Sequence, residues 1–350
     1  MNKQRIIQNH WGLFMLWFSS LIAVQASFGN PQIEAADKWK TIGFQQPNSM
    51  GGGEATIPET GTFRVFILMG QSNMNGSGRA EDLEAPYNQR QERIRIWANG
   101  RWEYMVPGNK FGPGVSMAHQ LADFWPDDTI GIVKVSCGAT GISAFEKNWS
   151  FERAQRSKDG KKGSLYKDLM NAVAEAKRIS NPEFCGFVWK QASADGKKGL
   201  AEEYSRNLKQ LISDLSEDLG VSNIPTFIPN YATDEELLAG ILSRIDKEER
   251  LAAKKSAGND AGGVGDVLDA VLTYVDANGL FKNETPVVKK QRYLSTVISA
   301  QNRLGRELSH VTTFYPGKLP IGDDGVHYNS EGYLMLGKAT ASAIEEFYKQ

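Results

Sequence analysis

The sequence predicts an α/β protein, with a parallel sheet of five strands between two layers of helices. Three observations carry that reading. Short apolar runs alternate with helical patterns along most of the chain, as they do when crossover helices join parallel strands. Ser72 and Gln191 each fall directly after an apolar run, at the carboxyl ends where parallel sheets carry their sites. The chain has 350 residues, 41% of them hydrophobic, enough for one large domain with a substantial core.

The N-terminus reads as an export signal over residues 1–26. Lys3 and Arg5 precede the mostly apolar stretch Trp11 to Val24, and Val24-Gln25-Ala26 has the small-residue pattern of a cleavage site after Ala26. Ser19 and Ser20 interrupt the stretch, which is short for a membrane span. An uncleaved anchor is the alternative. The expected location is secreted or periplasmic, with no stable membrane insertion after processing. Residues 27–61 are rich in Gly, Pro and Gln, lack periodicity and read as an N-terminal extension. The main domain is expected over residues 62–350.

Within it the strands are expected at Phe63–Met69, Ile94–Trp97, Ile130–Ser136, Phe184–Lys190 and Thr226–Pro229. Helical periodicity covers Val115–Phe124, Leu165–Ile179, Ala201–Leu219 and Ser330–Phe347. Residues 234–290 follow the fifth strand as a helical insertion, with patterns at Glu235–Lys255 and Val267–Val275 around a glycine-rich centre. Its charge and glycine content point to a peripheral element at the cleft mouth rather than to core. Cys137 ends one strand and Cys185 begins another, so the two sulfurs belong at opposite ends of the sheet, too far apart to bridge.

Composition narrows the function. Net charge is −1 and no long basic run occurs, which argues against nucleic acid as a partner. No His/Cys cluster has zinc-ligand spacing. Asp276-Ala277-Asn278-Gly279 has Tyr274 where a calcium loop would place its first ligand, and Gly262-Gly263-Val264-Gly265 follows no strand. No metal and no organic cofactor is expected.

The chemistry rests on two segments. Phe63 to Gly70 runs into Gln71-Ser72-Asn73-Met74, and Asp324-Gly325-Val326-His327 lies near the far end. Together they offer a nucleophile, a base and an acid to orient the base, the set needed for covalent acyl transfer. A strand-to-helix turn would put the Ser72 hydroxyl among free backbone N–H groups. A plain helix N-cap is the competing reading. The nucleophile elbow Gly-x-Ser-x-Gly is incomplete, since Met74 replaces its second glycine. Among the histidines His327 follows Asp324 by three residues, a spacing that on a loop or first helical turn lets Asp324 reach Nδ1; Asp323 competes for that role. Gly114 opens a helix and Gln191 closes a strand. Each has a donor for an oxyanion, and each also has an ordinary structural reading as a turn residue or a strand end.

Gly70-Gln71-Ser72-Asn73-Met74 resembles the first block of the SGNH (GDSL-like) hydrolases, specifically the sialate O-acetylesterase-like carbohydrate esterases, where it reads Gly-Gln-Ser-Asn-Met. Gly112-Pro113-Gly114-Val115-Ser116-Met117-Ala118 resembles the second block and Asp324-Gly325-Val326-His327 the last. The third block, usually Gln-Gly-Glu-Ser-Asp, keeps Gln191 and Asp195 but has Ala192, Ser193 and Ala194 between them. The family's Gly-Gly-Thr-Ser segment is partly matched by Thr140-Gly141-Ile142-Ser143. The resemblance implies a flavodoxin-like three-layer fold, a Ser72–His327–Asp324 triad, and an oxyanion hole from the N–H groups of Ser72 and Gly114 and the Gln191 side chain. Gln71, Asn73, Gly141, Ser143 and Trp149 are the expected cleft residues, with Phe145 beside Trp149 for stacking on a sugar. The implied activity is removal of O-acetyl groups from a carbohydrate, either an acetylated polysaccharide or sialic acid. A lipase-like or aryl esterase is the rival enzyme. The altered third block also motivates a carbohydrate-binding protein with impaired catalysis.

Overall fold

The computed structural model describes residues 52–258, 261–280 and 285–350. The export signal and nearly all of the N-terminal extension lie outside them. The last of the extension runs beside the sheet edge, where the Ala55 N–H donates to Trp102 O and Tyr104 N–H to Gly53 O.

The central strand β1 (Phe63–Gly70) is flanked by β6 (Thr129–Ser136) and β7 (Glu183–Lys190), both parallel to it. The sheet has seven strands in the order β4-β3-β6-β1-β7-β8-β9. The five expected strands form its parallel core, β3 being Ile94–Ala98 and β8 Thr226–Pro229. Two more extend it. β9 (Val311–Phe314) pairs parallel with β8, and β4 (Arg101–Tyr104) pairs antiparallel with β3. The β3–β4 hairpin turns on Asn99 and Gly100, both at positive φ. A separate two-stranded ribbon joins β2 (Gly78–Arg79) to β5 (Lys110–Phe111).

Side-chain alternation along β1 builds the two cores. Val65, Ile67 and Met69 join one buried cluster with α4 (Leu165–Ile179) and α5 (Tyr204–Leu219). Phe66 and Leu68 join another with α2 (Gly114–Phe124) and α10 (Ser330–Lys349). Each layer thus covers one face of a sheet that is apolar on both.

The segment expected to be peripheral is part of the core. It forms α6 (Asp234–Leu242), α7 (Lys247–Lys255) and α8 (Val264–Ala277), and the sequence reading did not foresee α9 (Pro286–Glu307) after it. Leu237, Ile241, Leu268, Val271, Val297 and Leu304 are buried in the same cluster as β1. The charged residues line the solvent face of amphipathic helices, so composition alone misplaced them. Cys137 and Cys185 are both free and buried. Among the described residues no helix is long and apolar enough to cross a membrane.

Candidate active site

Strand order reverses at β1, with β6 and β3 to one side and β7, β8 and β9 to the other. Sites in open parallel sheets lie at the carboxyl end of such a switch point. Ser72 occupies it, two residues past β1 and half-buried. Gly70 makes the turn possible. Its φ is +151°, and a Cβ there would lie 2.2 Å from Lys190 O. The chain then hooks over β7, where the Gln71 N–H donates to Lys190 O at 3.1 Å.

Ser72 begins α1 (Ser72–Asn75), a single helical turn. That is too short for much of a macrodipole, so the electrostatic help expected from a helix reduces to unpaired backbone N–H groups. The glycine beside Ser72 is Gly138, just past β6. A Cβ there would lie 3.9 Å from Ser72 Cβ. For Gly114, the glycine expected there, the neighbour of a Cβ would instead be Leu68 Cδ2, at 3.1 Å. The sequence signal for Gly138 was its place directly after a strand next to the nucleophile strand.

His327 lies between β9 and α10. Asp324 Oδ2 is 2.6 Å from its Nδ1, and Asp324 Oδ1 accepts the N–H groups of Val326 and His327, both at 2.8 Å. Asp324 rather than Asp323 is therefore the carboxylate that touches the imidazole. Gly325, at φ +66°, supplies the left-handed step that folds the carboxylate back. Partial burial pushes the Asp324 carboxyl up, but the hydrogen bonds from His327 and Val326 outweigh it and hold the group below its ordinary value.

Two contacts join the His327 segment to the Ser72 turn. Tyr333 on α10 donates from its hydroxyl to Asn73 Oδ1 at 3.0 Å. Lys190, at the end of β7, puts Nζ 3.4 Å from the Tyr231 ring centre and 5.8 Å from that of Tyr328, while donating to Pro229 O. Burial holds the Lys190 ammonium well below its usual range. Neither Ser72 Oγ nor His327 Nε2 has a hydrogen-bond partner among the described residues. Catalytic contacts in unliganded enzymes are often open in this way.

Gln191 is not available to an oxyanion. It is 1% exposed. Its Nε2 donates to Thr140 O at 3.0 Å and Asp195 Oδ2 at 2.5 Å, while Oε1 accepts from Tyr204 at 2.9 Å. Both amide protons are used, so the side chain braces the loop after β6 instead. The residues expected to line the cleft are also mostly braces. Gln71, Asn73, Gly141 and Ser143 are buried. Gln71 Nε2 donates to Ser193 Oγ at 2.7 Å, and the Gly141 N–H donates to Asp159 Oδ2 at 2.8 Å. Phe145 packs edge-on against Trp189 inside the core, out of reach of a sugar. Trp149 is half-exposed, with its Nε1 buried and unpartnered.

Comparison with known proteins adds to this geometry. A family model described as carbohydrate esterase, sialic acid-specific acetylesterase, matches residues 62–283. A probable carbohydrate esterase of Arabidopsis thaliana is 25% identical over 273 residues, 70% of this chain and 88% of that protein. The crystal structure of the same plant protein superposes with a TM-score of 0.54 at 20% identity, covering 81% of this chain and 98% of that one, which shows a shared fold. NanS is more distant, at 13% identity and a TM-score of 0.47 over 84% of this chain and 99% of its own. The family match includes Ser72, Gly138 and Gln191 but stops before Asp324 and His327.

Proposed function

We propose that this chain, which belongs to the sialic acid-specific acetylesterase family of carbohydrate esterases, removes O-acetyl groups from a carbohydrate through an acyl-enzyme on Ser72. The Asp324–His327 pair carries this reading. A carboxylate on Nδ1 fixes the imidazole tautomer and leaves Nε2 as a base for a serine. This pair lies outside the stretch matched to the family, so it supports the reading independently.

Ser72 Oγ attacks the acetyl carbonyl while His327 Nε2 takes its proton. The oxyanion forms beside the N–H groups of Ser72 and Gly138. His327 then protonates the departing sugar hydroxyl. It next activates water, which releases acetate and frees Ser72. Asp324 stabilises the imidazolium in both halves.

The substrate is an acetylated polysaccharide or an acetylated sialic acid, met outside the cell or in the periplasm once the N-terminal signal is removed. Acetate release from acetylated xylan against O-acetylated sialic acid separates the two. Ser72→Ala should abolish release from whichever is used, together with labelling by a fluorophosphonate. Activity surviving in Ser72→Ala, or a label on another serine, would overturn the mechanism. Release from neither sugar, with rapid hydrolysis of long-chain or aryl esters, would favour a general esterase.

A further inference from the structure

The loop after β6 is held by a buried lysine. Lys162, 7% exposed, has Nζ at 2.9 Å from Gly138 O, 3.1 Å from Ala139 O and 2.7 Å from Thr140 Oγ1. Asp159 Oδ1 completes its shell at 2.6 Å. The other Asp159 oxygen accepts the Gly141 N–H, and Asp195 Oδ2 accepts the Ile142 N–H at 2.9 Å. With Gln191 on Thr140 O, four side chains from outside the loop fix five consecutive residues.

The direction of these bonds matters. In a trans peptide the N–H points opposite to the C=O. Two carbonyls drawn onto one ammonium therefore turn the N–H groups of Ala139 and Thr140 away from it. Ala139 has φ +50°, a left-handed conformation that a residue with a Cβ adopts at a cost of roughly 1 kcal/mol or more. Something must hold it there, and Lys162 contacts the carbonyls of the two peptides that flank Ala139. The N–H groups of Gly138, Ala139 and Thr140 have no partner among the described residues. The Cys137 N–H donates to Gly70 O at 3.0 Å, tying the start of this loop to the residue two before Ser72.

We infer that Lys162 is a positioning residue for ester hydrolysis: by anchoring the Gly138 and Ala139 carbonyls, it fixes the N–H groups of Ala139 and Thr140, next to that of Gly138, towards the charge that develops on the substrate carbonyl oxygen at Ser72. This inference rests on the esterase reading above. It also gives Gln191 and Asp195 a role, since both hold the far end of the same loop. Lys162 touches no substrate. Its ammonium is the fixed counter-pole that keeps donor dipoles aimed before the reaction starts, which is where oxyanion stabilisation has its advantage over water.

The test pairs Lys162→Met with Asp159→Asn, so that no buried charge is left without a partner. With p-nitrophenyl acetate, kcat should fall by about 10²–10³, the range for a lost oxyanion donor, while KM stays within about twofold. Affinity for a boronate that mimics the tetrahedral anion should fall in step with kcat. A folded double variant with kcat near wild type, or one whose loss falls in KM alone, overturns the inference. If that double variant does not fold, Lys162→Gln with Asp159→Asn, which keeps two donors at position 162 and removes both charges, should lose roughly tenfold in kcat, and wild-type kcat there would overturn it equally. In the wild-type protein, boronate binding should slow amide hydrogen exchange in the peptide spanning residues 137–142; unchanged exchange would also refute it. Ser72→Ala in the same assay separates the two levels. Full activity in that variant removes the esterase reading itself, whereas a dead Ser72→Ala beside an unaffected Lys162 variant removes only the role of Lys162.

Discussion

Replacing Asp195 with asparagine should make the protein less sensitive to pH, by an amount the structure sets. Asp195 is 1% exposed and has one buried oxygen, Oδ1, without a partner. Burial pushes its carboxyl from the usual 3.8 to about 7; the hydrogen bonds from Ile142 and Gln191 and the nearby Lys197 oppose the rise, and Asp159 adds to it. In the unfolded chain the group ionises near 3.8. Between that pH and about 7 the folded protein therefore binds more protons than the unfolded one, and stability falls as pH rises. Roughly three pH units at about 1.4 kcal/mol each amount to a loss on the order of 4 kcal/mol by neutrality. Asparagine offers the same acceptor to Ile142 and Gln191 and cannot ionise. A fixed offset is expected, because its amide nitrogen takes the place of an oxygen that has no partner. Urea unfolding followed by tryptophan fluorescence, in half-unit steps from pH 4 to 8, should show the variant gaining on wild type by about 1.4 kcal/mol per pH unit and levelling off near pH 7. A difference that is constant with pH, or that shrinks as pH rises, would refute the argument.

Asp324→Asn should lower kcat by about 10²–10⁴ with the fold intact, because the wrong imidazole tautomer becomes available, while Asp323→Asn should stay within about twofold; comparable losses in both variants would count against the assignment. Gln191→Ala should lower stability by roughly 2–4 kcal/mol in denaturant titration, since it strips Thr140 O and Asp195 of a buried donor, and an unchanged midpoint would contradict its role as a brace. Excising residues 235–280 should give insoluble protein, because Leu237, Leu268 and Val271 pack into the core beside β1; a soluble, cooperatively folding product would restore the view of that segment as an appendage.

The parallel core of the sheet was legible because each of its strands is an apolar run of the right length, and Thr226–Pro229 was placed to the residue. What escaped was at the edges. β4 is only half apolar, in Arg101-Trp102-Glu103-Tyr104, yet Asn99-Gly100 before it is a strong hairpin signal that was not used. β9 is short, and its threonines are partly exposed. α9 opens on Thr285-Pro286, a cap followed by proline at the first helical position, but its polar length hid the periodicity. The Asp324–His327 contact was readable because three residues of separation leave the loop few alternatives. Gln191 was misread for the opposite reason: a residue type states what it can donate, and only the packed loops decide to what.

That distinction bears on how the site works. Around Ser72 the polar groups are largely committed to one another: Gln71 to Ser193, Asn73 to Tyr333, Gln191 to Thr140 and Asp195, Lys162 to the loop after β6. Buried polar groups need such partners, and contacts this numerous hold their members to one geometry. Within this shell Gln71 Oε1, Asp195 Oδ1 and Tyr231 Oη stay unpaired, and so do the atoms the proposed chemistry needs. Ser72 Oγ, His327 Nε2 and the N–H groups of Gly138 to Thr140 have no protein partner among the described residues, although folding could have paired them. In the proposed mechanism these are the nucleophile, the base and the donors that a tetrahedral, negatively charged transition state requires. The departures in the third block fit the same logic. Ala192, Ser193 and Ala194 add no charge near Ser72, and Asp195, pushed up to about 7, is largely neutral below that pH. The other carboxylate behind the loop, Asp159, is paired with Lys162, so in the mechanism proposed above the backbone dipoles that would meet the oxyanion are backed by an ion pair rather than by an isolated negative charge.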